Sequence, residues 1–157
     1  MTDGCHTGSY ITRLIAILFF LKNHHSSIGC QTMKKKILAK NAPKEIGAYS
    51  NAIKVGNMVF VSGQLPINPI TGEIPQGIQA QTMQVIENVR NILADAGATL
   101  DNVVKTTVIL SEMYLFSEMN EIYAREFKEP YPARTSMAVK EIPHNTLIQF
   151  DVTAVID

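Results

Sequence analysis

Apolar and polar positions change period several times along this chain, and each change marks an element. Asn51 to Val55 and Met58 to Gly63 flank Gly56-Asn57, a two-residue turn of the kind that closes a β-hairpin. Three prolines from Pro66 to Pro75, with Thr71-Gly72 among them, mark a loop. Apolar residues then recur at intervals of three and four (Ile78, Val85, Ile86, Val89, Ile92, Leu93, Ala96), which predicts an amphipathic helix ending near Gly97. Val103 to Leu110 is rich in β-branched residues and predicts a buried strand. A second helix is expected from Leu115 to Phe127, with Phe116, Met119, Ile122, Tyr123 and Phe127 on one side and Pro130 as its stop. Two final strands, Thr135 to Glu141 and Leu147 to Ile156, are joined by Pro143-His144-Asn145. The order β-β-α-β-α-β-β predicts an α+β fold with both helices on one face of a mixed sheet. Apolar positions also fall on the second face of the strands, so that face is expected to be covered by another copy of the chain.

Composition narrows the partners. At 157 residues, 46% apolar and 18% charged, the chain is long enough for one buried core and too apolar to be disordered. Its 14 basic and 14 acidic side chains balance, so there is no electrostatic footprint for nucleic acid. Lys34-Lys35-Lys36 is too short a run to change that. Both cysteines, Cys5 and Cys30, precede Met33, which leaves the main body without a thiol nucleophile or an internal disulfide. The four histidines show no ligand spacing, and neither a metal site nor a cofactor is expected.

Residues 1–32 differ in kind from the rest. Leu14 to Leu21 is an apolar run too short to span a bilayer as a helix. As a signal peptide it lacks both a basic n-region and an A-x-A cleavage site. Met33 is therefore read as the true start, residues 1–32 as an upstream extension rather than a weak targeting segment, and residues 33–157 as the domain of a cytoplasmic protein.

The strongest candidate for chemistry is Pro130-Tyr131-Pro132-Ala133-Arg134-Thr135-Ser136, a turn that delivers one arginine onto a small, apolar strand. Its guanidinium is a rigid, permanently charged fork that matches a carboxylate in two hydrogen bonds. An anionic small molecule would satisfy it, and so would a structural ion pair with Glu141 or Asp151. Tyr49, Ser62 and Asn120 each have an ordinary reading as well: a packing tyrosine, a turn serine, an exposed helical asparagine.

Several segments together carry a resemblance. Asn41 to Ser50, Phe60 to Pro66, Val104 to Val108, Met119 to Tyr123 and Tyr131 to Arg134 are similar, in order and spacing, to segments of the Rid proteins, the reactive intermediate deaminases of RidA type. The resemblance covers essentially all of residues 33–157. It implies a chorismate-mutase-like fold, a homotrimer with clefts between subunits, and hydrolysis of 2-iminobutanoate and 2-iminopropanoate to 2-oxo acids and ammonia. It also implies that Tyr49, Ser62, Asn120 and Arg134 line the cleft, with Arg134 holding the substrate carboxylate. Two positions depart from the family pattern. Ser136 stands where a cysteine is usual, and Gln149 stands where a glutamate usually orients the attacking water. Glutamine can hydrogen-bond a water but cannot act as a general base, so a slower deaminase is expected. Asp151, two residues on and about 7 Å along the same face, is a distant substitute. The competing reading is a non-catalytic regulatory protein that binds a small carboxylate through Arg134.

Overall fold

The hairpin, both helices and the later strands form where the pattern puts them. The computed structural model describes residues 34–156, so the expectation for residues 1–32 lies outside the described residues. In chain order the elements are β1 (Lys35–Ile37), β2 (Ala52–Val55), β3 (Met58–Gln64), α1 (Ile78–Asp95), β4 (Val103–Leu110), α2 (Phe116–Glu126), β5 (Ala133–Ala138) and β6 (Ile148–Val155). Short 3-10 turns at Leu100–Asn102, Met113–Leu115 and Pro143–Asn145 lead into β4, α2 and β6.

The strands form a single sheet in the order β1-β2-β3-β6-β4-β5. Every pairing is antiparallel except β4 with β5, which is parallel and requires the α2 crossover between them. β1 is an addition to the expected order. Three residues, two of them lysines, carry no readable alternation, and Lys35 lies opposite Lys54 on an edge where charge discourages further strands from pairing. β5 also starts two residues earlier than expected, which brings Arg134 inside the sheet, opposite Thr106 of β4.

Alternation then sorts the side chains. On β6, Ile148, Phe150, Val152 and Ala154 are buried against the helices, while Gln149, Asp151 and Thr153 face the other way. The helices meet them with Val85, Ile86, Val89, Ile92 and Leu93 from α1 and Met119, Ile122 and Tyr123 from α2. Tyr123 stacks on Phe127 at 4.4 Å between ring centroids, and both rings lie beside Phe150. α1 stops as expected, at Gly97, whose φ of +79° is costly for any residue with a Cβ. The open sheet face keeps Met58 and Phe60 well exposed, as are Val104 and Met137 near the β4–β5 edge.

Buried amides anchor the loop between β3 and α1. Asn88, fully buried on α1, donates to the carbonyls of both Leu65 and Ile67 at 2.9 Å. Gln81 donates to the Pro75 carbonyl at 3.0 Å and accepts from the Leu147 N–H at 2.7 Å, so one side chain ties this loop to the start of β6. Asn88→Leu strands two half-buried carbonyls and is expected to cost on the order of 1–3 kcal/mol, read as a lower urea midpoint with early proteolysis in the loop.

The open face carries one perturbed carboxylate. Burial raises the Asp151 pKa above its ordinary value, against the Thr107 hydrogen bond and the Lys105 charge, which both pull it down. The folded state thus keeps this proton to higher pH than the unfolded chain. Its contribution to stability is full below about pH 3.9, the ordinary aspartate pKa, and is lost as pH rises through the raised folded value. Asp151→Asn is expected to unfold at higher urea than the wild type at neutral pH, with the gap closing near pH 3.5, about where unfolded aspartates protonate.

Candidate functional site

Arg134 sits on the helix side of β5, the last strand of the sheet, and reaches toward α2. Its guanidinium donates to Asn120 Oδ1 at 2.8 Å and lies over two rings of the same helix, 4.5 Å from the Tyr123 centroid and 5.2 Å from that of Phe116. Phe116, Asn120 and Tyr123 follow at four and three residues, which puts them on one face of α2. The ion pair with Glu141 or Asp151 that the sequence left open does not form. Among the described residues the ion pairs join Lys36 to Glu45, Arg90 to Glu87 and Glu126, and Lys128 to Asp101. Arg134 is therefore positioned by neutral groups, and its charge stays available.

The ring beneath it is fixed in turn. Tyr123 and Thr106 share a buried hydroxyl–hydroxyl bond of 3.1 Å. Burial pushes the Tyr123 phenol above its usual pKa, while the Thr106 bond and the Arg134 charge pull the other way. In front of the guanidinium is a cleft of about 320 Å³, walled by Asn120, Tyr123, Ala124, Tyr131 and Pro132. Ser136 lies two residues beyond Arg134 on the same side of β5.

Tyr49, Ser62 and Gln149 gather elsewhere. The segment from Asn41 to Ser50 has no regular structure and is held by hydrogen bonds to its neighbours. Glu45 accepts from the Asn51 N–H at 3.1 Å and pairs with Lys36, and both contacts lower its pKa. Ser62 donates its hydroxyl to the Ser50 carbonyl at 2.7 Å, so this side chain anchors the Tyr49 segment and keeps only acceptor capacity for a ligand. Tyr49 is 44% exposed, its ring beside Gly47. β3 changes register between Val61 and Gln64, and Gly63 lies in that irregularity. A Cβ on Gly63 would stand 2.3 Å from Gln149 Nε2, so the carboxamide lies directly against this glycine. Tyr49 and Gly63 both line a second cleft of about 410 Å³.

One copy of the chain thus splits the predicted residues into two groups. Asn120, Arg134 and Ser136 lie at the β5 edge on the helix side. Tyr49, Ser62 and Gln149 lie around β3 and β6, and Gln149 faces away from the helices. Two strand spacings separate β5 from β6, roughly 10 Å, and the sheet itself stands between the two side chains. The sequence reading missed the Phe116 and Tyr123 ring faces as parts of the site. Their spacing about Asn120 was the available signal. It also passed over Gly63, whose role depends on a neighbour 86 residues away in the chain.

A family model described as endoribonuclease L-PSP matches residues 39–156. A RutC family protein of Pyrococcus horikoshii is 50% identical over 123 residues, covering 78% of this chain and 98% of its own. The chloroplastic Reactive Intermediate Deaminase A of Arabidopsis thaliana is 39% identical over 130 residues, 82% of this chain and 70% of that protein. Among solved structures, E. coli TdcF with bound serine superposes with a TM-score of 0.74 at 34% identity, covering 78% of this chain and 99% of that one. The expected fold is therefore the observed one, and the chain belongs to the endoribonuclease L-PSP family, that of the Rid proteins.

Proposed function

We propose that this chain hydrolyses 2-imino acids, 2-iminobutanoate and 2-iminopropanoate among them, to 2-oxo acids and ammonia. The observation that carries the proposal is Arg134, oriented by an amide oxygen and two ring faces and left without a carboxylate among the described residues. Such a guanidinium retains donors and an un-neutralised charge for a substrate carboxylate. The serine bound by TdcF has a carboxylate of the same kind. The even charge balance gives no support to binding of an RNA backbone, despite the nuclease name attached to the family.

The chemistry asks little of the protein. A protonated imine is already electrophilic at C2. Water adds there, the C=N electron pair moves to nitrogen, and the added oxygen passes one proton to that nitrogen. The resulting carbinolamine expels ammonia as the C=O bond forms, and the last oxygen proton leaves with it as ammonium. Because the substrate nitrogen accepts the proton, Gln149 has only to hold and orient water, which a carboxamide can do. Gly63 gives it the space to lie flat against β3.

A site that uses both Arg134 and Gln149 draws them from two copies of the chain. In a homotrimeric ring each copy would offer its β5 edge to one neighbour and its β3–β6 face to the other. Met58 and Phe60 on the open face, with Val104 and Met137 near the edge, supply apolar surface for that contact.

The test couples the protein to a threonine dehydratase and follows 2-iminobutanoate loss against spontaneous hydrolysis. Acceleration is expected, with Arg134→Ala lowering kcat/KM at least ~30-fold, the equivalent of about 2 kcal/mol for a buried charge pair. Absence of acceleration, together with tight 2-oxobutanoate binding that Arg134→Ala abolishes, would instead identify a carboxylate-binding regulator. Gln149→Glu adds a general base and is expected to raise kcat on the order of 10-fold or more. An unchanged or lower rate would assign the water to other groups.

A further inference from the structure

The cleft beside Tyr49 is much larger than the smallest imino acids require. At about 410 Å³ it falls in the range of pockets that enclose ligands of drug size. A liquid water occupies roughly 30 Å³, so the methyl or ethyl side chain of the two small imines would fill only a corner of it. Its walls include Ile46, Leu65, Ile67 and Ile74 as well as the Tyr49 ring. Among the described residues its lining has two basic side chains, Lys44 and His144, and no carboxylate.

The walls are also built to stay in place. Asn88 fixes the carbonyls of Leu65 and Ile67 from below, and Gln81 joins the Pro75 carbonyl to the Leu147 N–H. The His144 wall follows a backbone with φ of +60° at His144 and +53° at Asn145, a left-handed pair that only an over-determined loop maintains. This cavity therefore exists before any ligand arrives.

Position links the cleft to the reaction. Gly63 lines it, and the Gln149 carboxamide lies against Gly63. A substrate placed with C2 at the Gln149 carboxamide would have this cavity on the Gly63 side of it. We infer that the site selects 2-imino acids with large apolar side chains, aliphatic or aromatic, which lie between Tyr49 and the Leu65–Ile74 wall, and that it rejects those with cationic side chains. This inference rests on the deaminase reading given above. The surrounding apolar surface would favour each added methylene in the transition state, and the Lys44 ammonium would oppose a positive charge.

The experiment measures kcat/KM on imines generated in situ by an amino-acid oxidase, with catalase present, from phenylalanine, leucine, alanine and arginine. The phenylalanine- and leucine-derived imines are expected to exceed the alanine-derived one by at least ~10-fold, the discrimination that one or two methylenes supply, with the arginine-derived imine lowest. Ile67→Trp narrows the cleft and is expected to lower the phenylalanine-to-alanine ratio at least ~10-fold. Ile46→Trp, at a position 79% exposed, makes the same test where folding is not at risk. Equal rates, or a preference for the alanine-derived imine, would overturn this inference and leave the deaminase reading standing. No acceleration of any imine would remove both.

Discussion

A guanidinium at the edge of a sheet is held here without being neutralised. Asn120 contributes one oxygen, Tyr123 and Phe116 contribute ring faces, and none of the three carries a charge. An ion pair in the same place would have satisfied Arg134 and left nothing for a ligand. Ring faces and an amide fix its direction at about 0.5–2 kcal/mol per cation–π contact, enough to orient the fork but too little to hide its charge. The buried bond between Tyr123 and Thr106, and the stacking of Phe127 behind it, keep this support rigid.

The sheet then decides how such a fork can act. Arg134 is on the helix side of the outermost strand, and Gln149 is on the open side of β6 with β4 between them. No rotamer change brings them together in one copy. On the proposed reading a second copy would do so, docking through the apolar residues left on the open face. Cleft, fork and carboxamide are separate features of one copy, and the proposed deaminase reading requires copies to associate before they act together.

The helices and most strands were legible because periodicity reports burial directly. α1 followed from spacings of three and four, and β4 and β6 from β-branched content and alternation. β1 was not legible, since three residues with two lysines carry no period. Arg134, Asn120 and Gln149 could be named from the chain, but their division between two faces could not. That division depends on the parallel register of β5 on β4, with Arg134 opposite Thr106, and on β5 being the edge. Pairing register is a long-range property, and a shift of one residue would have turned Arg134 to the other side. Gly63 was hidden for the same reason, because its neighbour Gln149 is distant in sequence and adjacent only through the β3–β6 pairing.

The central claim, that Arg134 of one copy and Gln149 of another complete a single site, is tested by complementation. Arg134→Ala and Gln149→Leu chains are assayed separately, then unfolded, mixed in equal amounts and refolded together. Each alone is expected to be poorly active, and the mixture to recover about a quarter of wild-type activity, the share of interfaces that pair two intact halves. A mixture no more active than the mean of its components would contradict the shared site.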